Sequence, residues 1–104
     1  MSFATGTGLI FLRDEVTGHK FLVDTGASLS ILPHQSHSAT SGPKLVGADG
    51  KAIPAWGFRE TAVQFGPHKF TFKFLLAAVA SPILGFDFLA KHGLCVSPPA
   101  RRVL

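Results

Sequence analysis

The stretch Phe21-Leu22-Val23-Asp24-Thr25-Gly26-Ala27-Ser28 decides how this chain is read. Three consecutive apolar residues make a strand, and the strand ends on a carboxylate. A tight turn of small residues follows. Gly26 permits a sharp turn and close backbone approach. Thr25 offers a hydroxyl to lock the loop, and Ala27 keeps the space beside the acid small. Such a loop exposes one acid at the floor of a cleft. The chain holds one such loop, so a pair of carboxylates needs a second copy of the chain.

Working outward, residues 9–12 are an apolar strand candidate, 13–18 a polar turn, and 20–23 the returning strand, so a hairpin delivers Asp24. Residues 29–32 alternate weakly and stop at Pro33, which gives a short strand; 34–43 is polar and small and reads as a surface loop. Residues 44–48 and 52–58 flank Asp49-Gly50, a strong short-range hairpin signal. Pro54 cannot donate to a ladder and puts the second arm at an edge, so this hairpin is expected to project and move. Residues 61–65 and 70–80 are the longest strand candidates, joined by a turn at Gly66-Pro67-His68. Residues 86–92 are the one credible helix, closed by Gly93. Residues 94–96 form a last core strand, broken by Ser97-Pro98-Pro99, and 101–104 are a candidate terminal strand. No internal repeat or low-complexity segment is present. The sum is an all-β closed or barrel-like domain with one short helix.

At 104 residues the chain is expected to be a single domain over its whole length. Only 15% of residues are charged and 46% are hydrophobic, which excludes a disordered composition. Eleven Gly and seven Pro favour turns and short strands over long helices. Net charge is +4, yet the Lys and Arg are scattered singly apart from Arg101-Arg102, with no basic run interleaved with aromatics. That pattern reads as a solvated basic surface, and nucleic acid is not an expected partner. A single cysteine, Cys95, forbids an intrachain disulfide and fits a reducing compartment; its apolar neighbours suggest a buried structural thiol. No stretch is long and apolar enough to span a membrane. The opening residues lack the charged-then-apolar plan of a signal peptide. A cytoplasmic protein, or a piece released from a larger polyprotein, is the expectation.

If two Asp24 loops meet, two carboxylates face each other. Like charges that close cannot both ionise, so the pair shares a proton near neutral pH. The ionised member can activate a water, and the protonated one can polarise a carbonyl. That chemistry hydrolyses a peptide bond with no metal and no covalent intermediate. Taken alone, the tripeptide Asp24-Thr25-Gly26 is an ordinary turn. The apolar run before it, the hairpin at 44–58 and Ile83-Leu84-Gly85 before the helix make it more than that.

Three blocks carry a family resemblance: Phe21 to Ser28; Ala48-Asp49-Gly50-Lys51-Ala52-Ile53-Pro54-Ala55-Trp56-Gly57; and Pro82-Ile83-Leu84-Gly85-Phe86-Asp87-Phe88-Leu89. In order and spacing the chain resembles the retropepsins, the retroviral-type aspartic proteases, in the style of long-terminal-repeat retrotransposons of the Ty3/gypsy class. The resemblance implies a homodimeric aspartic endopeptidase with one catalytic Asp per subunit, no cofactor, and sensitivity to pepstatin-type inhibitors. It implies that Asp24 is catalytic, that Thr25 makes cross-subunit hydrogen bonds, and that Gly26 binds substrate through its backbone. Residues 47–51, with Gly47, Ala48, Asp49 and Gly50, would be the tip of a flap closing over a peptide held as an extended strand. Leu22, Ala27, Ser28, Ile31, Ile53, Ser81, Pro82 and Ile83 would line the side-chain pockets. Those walls are mostly apolar, so cleavage of a retroelement polyprotein beside apolar or aromatic residues is expected.

Two departures stand out. Many retroviral relatives carry Asp where Ser28 stands and Arg where Phe86 stands, and the two pair near the dimer interface; here both charges are gone, which leaves neither unpaired. The flap tip carries Asp49, read as a turn former rather than a group acting on the dyad. Asp87 is expected to cap or anchor the helix, and Trp56 to pack at the flap base. Whether the chain ends pair between subunits is open. His34 and His37 lack a Cys or acidic partner for a metal, and Ser28 and Ser30 lack a histidine for nucleophilic catalysis. The alternative function is a domesticated or inactive domain serving dimerisation or protein binding, against which the intact Asp24-Thr25-Gly26 speaks.

Overall fold

A computed structural model describes residues 2–4, 9–43, 45–47, 49–94, 96–97 and 102–103, with the first three and last four as backbone strands only. The elements run β1 (Ser2–Ala4), β2 (Ile10–Arg13), β3 (Lys20–Val23), β4 (Ile31–Pro33), β5 (Leu45–Val46), β6 (Ala52–Ile53), β7 (Ala55–Phe65), β8 (His68–Ala77), β9 (Ile83–Leu84), α1 (Phe86–Lys91), β10 (Val96–Ser97) and β11 (Arg102–Val103). Seven strands form one sheet in the order β1-β2-β3-β9-β4-β8-β7; β5-β6 and β10-β11 are separate two-stranded ladders. The fold is all-β with one short helix among the described residues, as the sequence pattern predicts.

Both long hairpins form. In β8, Phe72 and Phe74 are buried while Lys69, Thr71 and Lys73 are exposed, the period of a strand with one wet face. Its last residues, Leu75, Leu76 and Ala77, are all buried because the strand there runs between β4 and β7. β7 is a single strand where the sequence suggested two. It runs through the charged pair Arg59-Glu60, because β7 is the last strand of the sheet, where polar residues are tolerated. Its early register shift lies between Ala55 and Phe58, around Gly57 at φ 93°.

The sheet carries a separate apolar cluster on each face. One holds Phe21, Val63, Phe65, Phe72, Phe74, Leu84 and Phe88. Its rings meet edge-on, Phe21 with Phe65 at 5.6 Å and 84° and Phe65 with Phe88 at 6.0 Å and 85°. Each fully buried Phe contributes roughly 1.5–3 kcal/mol. The second cluster holds Ile31, Ala55, Leu75 and Ala77, with Ile53 and Ile83 packed on it.

Two joints were not foreseen. β9 lies parallel to β3, and β4 lies parallel to β8. The turn after β2 also has a buried centre: Asp14, read as part of a polar turn, is fully buried. Its Oδ1 accepts from Val16 N at 3.0 Å and Gln64 N at 2.8 Å, and its Oδ2 from Thr17 Oγ1 at 2.7 Å and Thr17 N at 3.3 Å. With Glu15 N donating to Gln64 O at 2.8 Å, the turn ties β2 to β7 across the curled sheet. The chain-end strands β10 and β11 pair with each other within the chain. Cys95 lies outside the described residues.

Candidate active site

β3 delivers Asp24 as expected, and the parallel neighbour β9 fixes where it stops. Leu22 N donates to Pro82 O at 3.0 Å, and Asp24 N to Leu84 O at 2.9 Å. The chain then turns: Ala27 N donates to Asp24 O at 3.1 Å, and Gly26 N to Asp24 Oδ1 at 3.0 Å. Asp24, Thr25 and Gly26 are exposed. A Cβ on Gly26 would sit 3.3 Å from Asp24 Oδ1, so the glycine keeps the space beside the carboxylate open.

The loop is backed by the start of α1. Phe86 N donates to Ala27 O at 2.8 Å and Asp87 N to Ser28 O at 3.3 Å. A Cβ on Gly85 would lie 2.6 Å from Leu29 O and 2.7 Å from Ala27 O, so only glycine lets the two segments approach this closely. Beneath them, buried Ser30 accepts Gly85 N on its Oγ at 2.8 Å and donates that hydroxyl to Asp87 Oδ1 at 2.7 Å. Ser30 N donates to Asp87 Oδ2 at 3.1 Å, and Phe88 N to Asp87 Oδ1 at 2.7 Å. Asp87 is thus the anchor anticipated from the sequence, although its partner Ser30 was not. The signal available was a lone small polar residue between Leu29 and Ile31.

The flap candidate is the β5-β6 hairpin. Gly47 N donates to Lys51 O at 2.8 Å and Gly50 N to Gly47 O at 3.0 Å, with Gly50 at φ 81°. Asp49 Oδ1 accepts Lys51 N at 3.0 Å, which makes it a turn former. Ala48 lies outside the described residues. Leu45 and Ile53 of the hairpin pack on the same cluster as Ile31 and Ile83, so the structure brings three of the expected wall residues together. Leu22 pairs with Ile83 across β3-β9 and is half-buried. Ser28 and Ser81 are exposed, and Ala27 is half-buried. Pro82 is buried beside Phe21 and Leu32, away from Ile31 and Ile83. Trp56 packs on His34 with ring centroids 5.3 Å apart and donates Nε1 to Ser38 O at 3.1 Å, tying the 34–41 loop to the flap base. His34 is therefore engaged with an aromatic ring. Among the described residues, no three His, Cys, Asp or Glu cluster as a metal site would require, and no helix is long and apolar enough to cross a membrane.

No family model and no curated protein matches this sequence. Among solved structures, the fold is similar to the EIAV protease complexed with the inhibitor HBY-793, with a TM-score of 0.63 at 20% identity, over 86% of this chain and 90% of that one. The chain therefore has the fold of a retroviral protease.

Proposed function

We propose that the protein is an aspartic endopeptidase active as a homodimer. In this reading residues 1–104 form a single protease domain, and two Asp24 carboxylates share a proton across the two-fold axis. One activates a water and the other polarises the scissile carbonyl. Thr25 bridges the subunits, Gly26 holds the substrate backbone, and the 47–51 hairpin closes over an extended peptide. The apolar wall at Leu22, Ile31, Ile53 and Ile83 selects apolar or aromatic side chains. The expected substrate is a retroelement polyprotein met in the cytoplasm.

The single observation that carries this reading is the state of Asp24. It is exposed, its Oδ1 accepts one backbone N–H, and its loop is held from behind by Gly85, Ser30 and Asp87. A merely structural turn has no use for a rigidly supported acid facing solvent.

The test is digestion of a diverse peptide library at mildly acidic pH over a range of protein concentrations, with and without pepstatin. Pepstatin-sensitive cleavage that rises faster than linearly with protein concentration supports the dimeric protease. Cleavage insensitive to pepstatin, or strictly linear through the range where the protein dissociates, sinks it.

A further inference from the structure

We propose that the face of the sheet behind the candidate substrate wall carries a second binding site, for a small organic molecule with one carboxylate and an apolar body. The site is a cavity of about 580 Å3 whose floor is Phe21, Leu32, Val63 and Pro82. That size and apolar lining are typical of small-molecule sites. Its mouth carries His19, Arg59 and Thr61.

Asp14 also lines the cavity, but its hydrogen bonds are turned into the fold. A carboxylate has about four acceptor positions. All four are filled, by Val16 N, Gln64 N, Thr17 N and Thr17 Oγ1. Asp14 therefore has no acceptor position left for an incoming donor, and it is Arg59 that offers the cavity an open hydrogen-bonding group. Arg59 is the reverse case: among the described residues its guanidinium has no ion pair and no hydrogen bond. An unengaged planar fork beside an apolar floor matches a carboxylate, which it can grip through two parallel hydrogen bonds. His19 and Thr61 supply further polar contacts at the rim. A single guanidinium suits a monoanion better than a phosphate-rich ligand.

The cavity and the candidate cleft share a wall. Leu32 lies on the cavity side and Ile31 on the other; Pro82 and Ile83 divide in the same way, as side chains alternate along a strand. Occupancy is thus felt one residue away from the substrate wall. The site does not depend on catalysis, so it stands or falls apart from the protease reading.

Phenylacetate is the probe, titrated while backbone amide signals are followed by NMR in the wild-type chain and in Asp24→Asn. Saturable shifts are expected at Phe21, Leu32, Thr61 and Val63 in both. Arg59→Gln should weaken binding roughly tenfold or more, the neutral analogue phenylacetamide should bind weaker by a similar factor, and Arg59→Lys should fall between. The proposal is overturned if phenylacetate gives no saturable shifts, if phenylacetamide binds equally well, or if Arg59→Gln binds like wild type. Arg59 is exposed on the last strand of the sheet, so these variants are expected to fold.

Discussion

Asp14 and Asp24 sit ten positions apart in turns of the same local design. In each, Oδ1 accepts the N–H two residues on, Val16 N at 3.0 Å and Gly26 N at 3.0 Å. What differs is everything around them. Asp14 is fully buried and all its acceptor positions are filled. Asp24 is exposed, and among the described residues its Oδ2 has no partner. The carboxylate saturated by its neighbours braces the fold, while the one on the supported loop keeps an oxygen open to solvent. Turn geometry does not separate the two; the count of donors does.

The sharpest way to break this contrast is Asp24→Asn. Cleavage should fall roughly a thousandfold or more, with the urea midpoint unchanged, because the side chain is exposed. A large loss of stability would mean that Asp24 is structural after all. Asp14→Ala should do the reverse: about 3 kcal/mol less stable by urea denaturation, since several donors lose their acceptor together, with cleavage per folded molecule preserved. Acid sharpens the point. Burial alone would raise the Asp14 carboxyl, but the hydrogen bonds from Gln64, Thr17 and Val16 outweigh it and hold it below its ordinary 3.8. A depressed carboxylate contributes stability above 3.8 and loses it only as pH falls through the lower folded value. The contribution of Asp14, read as the difference in urea midpoint between wild type and Asp14→Ala, should be constant above 3.8 and shrink as pH falls from there through the folded value.

Gly85→Ala tests the support behind Asp24. The new methyl meets the carbonyls of Leu29 and Ala27, at a cost of about 1–3 kcal/mol, and cleavage per folded molecule should drop as the loop shifts. Wild-type stability with intact cleavage would show that the loop does not need this contact. A smaller effect is expected from His92, whose ring lies 4.5 Å from Phe70 and 4.6 Å from Phe88, with Nε2 buried and without a hydrogen-bond partner among the described residues. Burial, and then the charge of Lys91, push its pKa below 6.5. The folded state favours neutral His92, so its contribution is complete above 6.5 and is lost as pH falls through the folded value. His92→Leu should flatten the fall of the urea midpoint on acidification; an unchanged slope would assign that fall to other groups. Smallest is Asp49→Ala, a third turn of the same design but exposed and without backing, expected to cost about 0.5 kcal/mol. A loss as large as that of Asp14→Ala would erase the distinction between backed and unbacked turns.

Residues 20–28, the two long hairpins and the helix were legible because each is a local pattern, a short period closed by Gly, Pro or Asp. Ser30 and Gly85 were not, because their reasons lie far away. Ser30 is explained by Asp87, 57 positions on, and Gly85 by the carbonyls of Ala27 and Leu29. The parallel pairs β3-β9 and β4-β8 escaped for the same cause, since strands of one direction must be joined by a long excursion. The burial of Asp14 escaped because a buried acid in a polar turn looks, residue by residue, like an exposed one. The face assignment of Pro82 depends on strand phase across a bend, which composition does not encode.

The clamp of Ser30, Gly85 and Asp87 has a consequence in time. A ribosome releases the acid-bearing loop long before it makes the segment that braces it. Until the residues through Phe88 have emerged, the Ser30 hydroxyl and N–H lack their partners and the Asp24 turn has no brace from α1. The chain is thus born with its exposed acid unaimed, and the Asp24 loop gains its brace only when the last quarter of the sequence arrives.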